Sequence, residues 1–158
     1  MKIEGEHLFK GPREVVWDMI RDPNVLMKAI PGTQEIKEVE PNHYEAAILL
    51  RIGPVSGSFS GTLVVSEEVP PESCTLTVDG RGAPGFAKGV GYVKFADNGD
   101  QTTTLGYTGE VTIGGTLASV GQRMIDSVSK MMIKAGFNSM DKVLEERMKE
   151  IESKSGNA

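Results

Sequence analysis

Residues able to do covalent chemistry are sparse in this sequence, and their spacing does not bring them together. His7 and His43 fall in different predicted strands, and neither belongs to an H-x-x-x-H or C-x-x-C arrangement, so no metal site is expected. His7 shares a face with Ile3 and Phe9, where a hydrogen-bonded structural histidine is a simpler account than a catalytic one. Glu4 with Glu6, and Glu67 with Glu68, fit solvated strand faces and ends better than an acid–base pair. None of the serines sits in a G-x-S-x-G elbow, so no catalytic residue is assigned. Gly80-Arg81-Gly82-Ala83-Pro84-Gly85 has the spacing of a dinucleotide loop, but that chemistry needs a helix to open at the third glycine. Phe86-Ala87-Lys88-Gly89-Val90-Gly91-Tyr92-Val93 follows instead and is strand-like. The glycines therefore serve a sharp turn, which leaves Phe86 and Lys88 to line a cavity mouth or touch a partner.

What the sequence does offer is apolar binding chemistry. Met124, Met131, Met132, Met140 and Met148 fall in the last predicted helix, and methionine's unbranched, polarizable side chain repacks around irregular apolar shapes. Ordinary core filling is the competing account. The candidate ligand-binding set is Met124, Val128 and Met131 on that helix, facing Trp17, Leu26, Ile30, Phe59, Leu63, Leu76, Phe86 and Tyr107. Tyr107 offers a hydroxyl to a ligand carbonyl.

These side chains have to be placed by the elements around them. Ile3, Gly5, His7 and Phe9 alternate with Glu4, Glu6 and Leu8, the period of a strand with one face in water. Gly11-Pro12 ends it. Pro12 suits the first position of a short helix, in which Val15, Val16, Met19 and Ile20 recur at helical spacing. Asp22-Pro23 repeats the device and opens a second short helix through Val25, Leu26 and Ala29, stopped at Pro31-Gly32. From Gln34 to Ile113 the period is two. Turn signals at Pro41-Asn42, Gly53-Pro54, Pro70-Pro71, Gly82 to Gly85 and Asn98-Gly99-Asp100 divide this stretch into about six strands. Connections so short join antiparallel neighbours. Beyond Gly114-Gly115, Leu117, Val120, Gly121, Met124, Val128, Met131 and Ala135 mark one apolar face of a long helix. Its second half, dense in charge from Lys142 to Glu150, is expected to be more solvated than the first.

One antiparallel sheet has an apolar face to hide, and only the C-terminal helix is long enough to cover it. The predicted class is α+β: a curved seven-stranded antiparallel sheet around a long C-terminal helix, with two short helices after the first strand. A curled sheet and a helix do not fill the space between them, so an internal cavity is expected. A single domain is expected over residues 1–152, with 153–158 a frayed tail. The net charge of -5 and the lack of a Lys/Arg cluster argue against a nucleic-acid partner. A lone cysteine, Cys74, favours a reducing compartment, the cytoplasm. The N-terminus lacks a signal-peptide h-region, and no window approaches the roughly 20 apolar residues of a membrane helix.

Val16-Trp17, Asp22-Pro23, Ile30-Pro31-Gly32, Gly53-Pro54-Val55 with Phe59-Ser60-Gly61, and Gly85-Phe86-Ala87-Lys88-Gly89, in this order, resemble the carbon monoxide dehydrogenase CoxG family. The resemblance implies the START-like (SRPBCC, Bet v 1-like) helix-grip fold and a hydrophobic ligand. It also implies a helper of carbon monoxide dehydrogenase or related molybdenum hydroxylases, which brings the enzyme to the membrane or shuttles a quinone. Many members carry a polar linker and a membrane anchor after the domain, where this sequence has a charged helix and stops at Ala158. The expectation is a non-enzymatic binder with no cofactor beyond a bound quinone or lipid. Phe86 and Lys88 are its partner contacts, and its place is the cytoplasm or the inner face of the membrane. Two alternatives stay open: a START-like cyclase- or hydrolase-type enzyme, or an adaptor with no ligand.

Overall fold

The computed structural model describes residues 1–156. Strand β1 (Lys2–Phe9) is followed by helices α1 (Arg13–Ile20) and α2 (Pro23–Ala29). Strands β2 (Thr33–Glu40), β3 (His43–Ile52), β4 (Val55–Val69), β5 (Ser73–Gly82), β6 (Gly85–Asp97) and β7 (Thr103–Gly114) come next. A short 3₁₀ helix (Gly115–Val120) then leads into α3 (Gln122–Gly156). The strands form one antiparallel sheet in the order β1-β7-β6-β5-β4-β3-β2. Every pair except β1 with β7 joins sequence neighbours across one of the predicted turns. This is the expected seven-stranded helix-grip arrangement.

Local signals fix the helix starts. Asp22 Oδ1 accepts the Asn24 amide at 2.9 Å, and Pro23 occupies the first position of α2, where its missing N–H costs nothing. Pro12 stands one place earlier than expected: it is the N-cap of α1, and its carbonyl accepts the amides of Val15 and Val16 at 3.1 Å.

The C-terminal helix corrects the sequence reading twice. Its expected start near Leu117 is a 3₁₀ helix, and Gly121, at a φ of 94° that side-chain-bearing residues rarely adopt, separates it from α3. Leu117 instead packs with Ile52 and Phe59. The covered face of α3 is also displaced by one residue from the expected one, a rotation of about 100°. Ile125, Gly136 and Leu144 are buried, with Met132, Ile133, Phe137 and Met140 partly buried beside them, while Met124 and Met131 are exposed. Gly136 explains the phase: a methyl group there would lie 3.0 Å from the Ala29 carbonyl oxygen, so α2 rests on α3 at this residue. The tail expected to fray from Ser153 is helical as far as Gly156, the end of α3. Asn157 and Ala158 lie outside the described residues.

Two packed clusters hold the sheet and helix together from opposite ends. The larger gathers Phe9, Val16, Trp17, Met19, Tyr44, Phe95, Leu105 and Leu144. The smaller gathers Ile52, Phe59 and Leu117, with Leu50, Val55, Ile113, Val120 and Val128 against it. Polar ties fasten α3 near the larger cluster: Arg147 Nη2 to Asp22 Oδ2 at 2.7 Å, and His7 Nε2 to Asp141 Oδ1 at 2.8 Å.

Gly136→Leu should force α2 off α3. The expected loss is about 1–3 kcal/mol, the usual range for an overpacked contact, read from urea unfolding midpoints.

Candidate functional site

The site follows from what the middle of the sheet lacks. Along its concave face β6 presents Phe95 and Val93, then Gly91, Gly89 and Ala87. Gly91 pairs with Leu76 on β5 and Gly109 on β7, and Gly89 pairs with Val78 and Val111. Phe95 and Val93 belong to the larger packed cluster. The glycines leave backbone bare where side chains would otherwise reach α3. A cavity of about 470 Å³ occupies that gap. Sites for small molecules commonly measure about 300–1,000 Å³. Leu63, Leu76, Val78 and Val111 wall it from the sheet, Leu26, Ala29 and Ile30 from α2, and Met132, Ile133, Phe137 and Met140 from α3.

Most polar groups at its edge are already engaged. The Arg21 guanidinium donates to Asn42 Oδ1 at 2.5 Å, meets both carboxylate oxygens of Glu68 at 3.2 Å, and lies 5.4 Å above the Trp17 ring. The Tyr44 hydroxyl donates to the Arg21 carbonyl at 2.9 Å. Burial, helped by the Glu38 carboxylate, pushes the Tyr44 phenol up to about 12. Burial also pushes the Cys74 thiol up to about 11, with the Glu68 charge adding to the rise and Arg21 opposing it. Phenol and thiol are therefore both neutral near pH 7 and neither is poised as a nucleophile. Tyr107 is different. Among the described residues its hydroxyl makes no hydrogen bond, and its ring lies over Gly5, where a methyl group would stand 2.5 Å from that hydroxyl.

His7 sits outside this cavity, between β1 and α3. Its ring stacks on Phe137 with centroids 4.4 Å apart and planes within 6°, and Asp141 holds its Nε2. It is hydrogen-bonded and packed, as its position in the sequence suggests. No cluster of three or more His, Cys, Asp or Glu side chains able to hold a metal occurs among the described residues.

Of the residues expected to line the cavity, Leu26, Ile30, Leu63, Leu76 and Tyr107 do so. The other six lie elsewhere. Trp17 is in the larger core cluster, its ring edge-on to Phe95 at 5.3 Å. Phe59 and Val128 belong to the smaller cluster. Phe86 packs against Gly114, with Lys88 Nζ 5.7 Å above its ring, and Lys88 itself reaches the cavity rim. Met124 and Met131 are exposed because α3 is turned by one residue. Met132 and Met140, two of the methionines expected to form an adaptable wall, take that role with Ile133 and Phe137. The floor of Gly89, Gly91 and Gly109 is absent from the expected set, although glycine at alternate positions of a strand is itself the signal.

The family model for CoxG, a carbon monoxide dehydrogenase subunit, matches residues 5–145. The chain belongs to the CoxG family. A conserved protein from Geobacillus kaustophilus, 31% identical, superposes with a TM-score of 0.87 over 92% of this chain and 96% of its own. The Zhui aromatase/cyclase from Streptomyces sp. R1128 is 14% identical, with a TM-score of 0.70 over 94% and 95% of the two chains. A START superfamily protein from Mycobacterium smegmatis, 10% identical, also gives 0.70, over 92% and 97%. The last two likenesses establish a shared fold: this CoxG-family chain has the START-like helix-grip architecture. None of the curated proteins matches it. No helix among the described residues is long and apolar enough to cross a membrane.

Cys74 supplies a test of the cavity's burial. The native thiol keeps its proton after the unfolded chain's thiol, at its ordinary 9.0, has lost it, so stability should fall as pH rises from about 9 to about 11. Urea unfolding across that range should show a shallower fall in Cys74→Val than in the wild type, with the Tyr44 contribution, from 10.0 to about 12, remaining in both.

Proposed function

We propose that the protein is a non-enzymatic carrier of a hydrophobic small molecule, a quinone or lipid-like compound, and serves a carbon monoxide dehydrogenase or related molybdenum hydroxylase. It works in the cytoplasm or against the inner face of the membrane. The cavity on the glycine floor carries this reading, because its walls offer apolar contact and almost no free polar group. Family membership supports the accessory role, since the family is named for a dehydrogenase subunit. Removing apolar surface from water contributes about 25 cal/mol per Å², so a greasy chain gains steadily from entering such a space.

A cyclase- or hydrolase-type enzyme is the second reading. The imidazole–carboxylate pair of His7 and Asp141 favours it, as does the unengaged Tyr107 hydroxyl nearby. The carrier reading accounts better for the arrangement. Asp141 occupies one His7 nitrogen, Phe137 covers the ring, and the pair ties β1 to α3 rather than pointing into the cavity.

Filling the floor separates binding from folding. A Cβ at Gly91 would meet nothing closer than the Thr108 carbonyl oxygen at 3.6 Å, an ordinary contact, and the rest of a leucine side chain has the cavity to enter, so Gly91→Leu should fold. We expect it to retain or gain up to about 1 kcal/mol of stability by strand propensity and burial. Titration with menaquinone, ubiquinone and fatty acids should give saturable binding to the wild type and at least about tenfold weaker binding to Gly91→Leu. Unaltered affinity in the filled variant would place the ligand elsewhere.

The partner contact is assigned to the turn and strand over residues 82–89, with Phe86 and Lys88 at its centre. Phe86→Ala should reduce co-purification of a molybdenum hydroxylase from the native host while quinone or fatty-acid binding persists. Undiminished capture would move the contact to another surface.

A further inference from the structure

A second space, of about 550 Å³, lies between the edge strand β1 and α3. It shares Ile3, Tyr107, Ile133 and Phe137 with the cavity, so these four side chains form the partition between the two. The inner side is apolar, while Lys130, Lys134 and Asn138 line the outer one.

We propose that this slot seats the anionic head of an amphiphile, a carboxylate or phosphate, while its chain lies in the cavity. The inference rests on the ligand-binding reading above and says which lipid-like molecules the site prefers. An ionised head is costly to bury without a partner, so it must lie where donors are unengaged. In the cavity most are engaged: Arg21 by Glu68 and Asn42 through both Nη atoms, with only its buried Nε unpaired, the Tyr44 hydroxyl by the Arg21 carbonyl, and Lys88, at the rim, by the face of the Phe86 ring. In the slot they are not. Lys130 and Lys134 stand one helical turn apart on α3, and neither reaches a carboxylate within ion-pair distance among the described residues. Beside them is the Tyr107 hydroxyl, also without a partner and on the partition itself.

The acidic groups nearby do not cancel this preference. Glu4 and Glu6 line the slot from β1, but they occupy the exposed alternate positions of that strand, and Glu4 is joined to Lys2 at 3.6 Å. Asp141 is held by His7. The free groups on the helix wall are therefore donors, which suits a head that only accepts hydrogen bonds. An amphiphile entering between β1 and α3 would also leave its head outermost, with no need to turn the charge through the apolar space.

The test compares cis-parinaric acid with its methyl ester by polyene fluorescence, at about pH 8, where the acid is ionised. Wild-type protein should bind the acid about tenfold more tightly than the ester, and added salt should narrow the gap. K130E/K134E should erase the preference by weakening the acid alone, and K130R/K134R should keep it. Hexadecyl phosphate should displace the acid, whereas inorganic phosphate should not. Equal affinity for acid and ester in the wild type, equal weakening of both in K130E/K134E, or displacement by inorganic phosphate would each overturn the slot as a head-group seat and leave the cavity reading standing. Wild-type protein binding neither probe would overturn both readings together.

Discussion

The structure depends on an antiparallel sheet and one helix being clamped at two ends and kept apart between them. At one end Phe9, Trp17, Phe95 and Leu144 fill the interval between sheet and helix, and at the other Ile52, Phe59 and Leu117 do. Protein interiors are close-packed, so a gap persists only where the surrounding backbone is rigid and the side chains that could fill it are missing. Both conditions hold here. The clusters set the spacing, and Gly89, Gly91 and Gly109 withhold the filling. The contact of α2 with Gly136 of α3 fixes the third side, placing Leu26 and Ile30 over the space.

Charge is arranged consistently with that division. Although Arg21 Nε is buried without a partner, both Nη atoms meet Glu68 or Asn42 at the larger cluster, and the Tyr44 hydroxyl closes onto the Arg21 carbonyl. Satisfied groups of this kind can border an apolar volume without demanding water in it. The neutral Cys74 thiol belongs to the same border and behaves as a small apolar side chain. Unsatisfied donors collect instead across the Tyr107 and Phe137 partition, in the slot beside β1.

Much of this is legible in the sequence, and what is not has identifiable causes. Proline and glycine punctuation locates the turns because those residues have few backbone alternatives, and the order of elements then leaves one way to cover the sheet. The phase of α3 is ambiguous because neighbouring stripes both carry apolar residues: Met124 and Met131 on one, Met132 and Phe137 on the next. Tertiary packing chooses between them through Gly136, which resembles a weak point when only helix propensity is considered. Trp17 and Phe59 have the size and apolarity of cavity walls, yet both lie in packed clusters. Alternation says which face a residue takes but not how far along the element the packed clusters end, and that distance decides whether a large side chain borders a core or a void.

A strand with glycine at alternate positions should be weak, since each one loses more freedom on folding and offers nothing to pack. β6 meets this difficulty from its other face. Tyr92 lies between Thr75 of β5 and Thr108 of β7, and Val90 lies opposite Thr77. Aromatic and β-branched cross-strand neighbours each contribute roughly 0.2–1 kcal/mol to a sheet. Tyr92 and Val90 are 46% and 55% exposed, an unfavourable placement on an ordinary surface. Here they hold β5, β6 and β7 in register from the convex side, so Gly89 and Gly91 can leave the concave side bare at the cavity floor. The outer face stabilises the sheet so that the inner face can remain empty for a ligand.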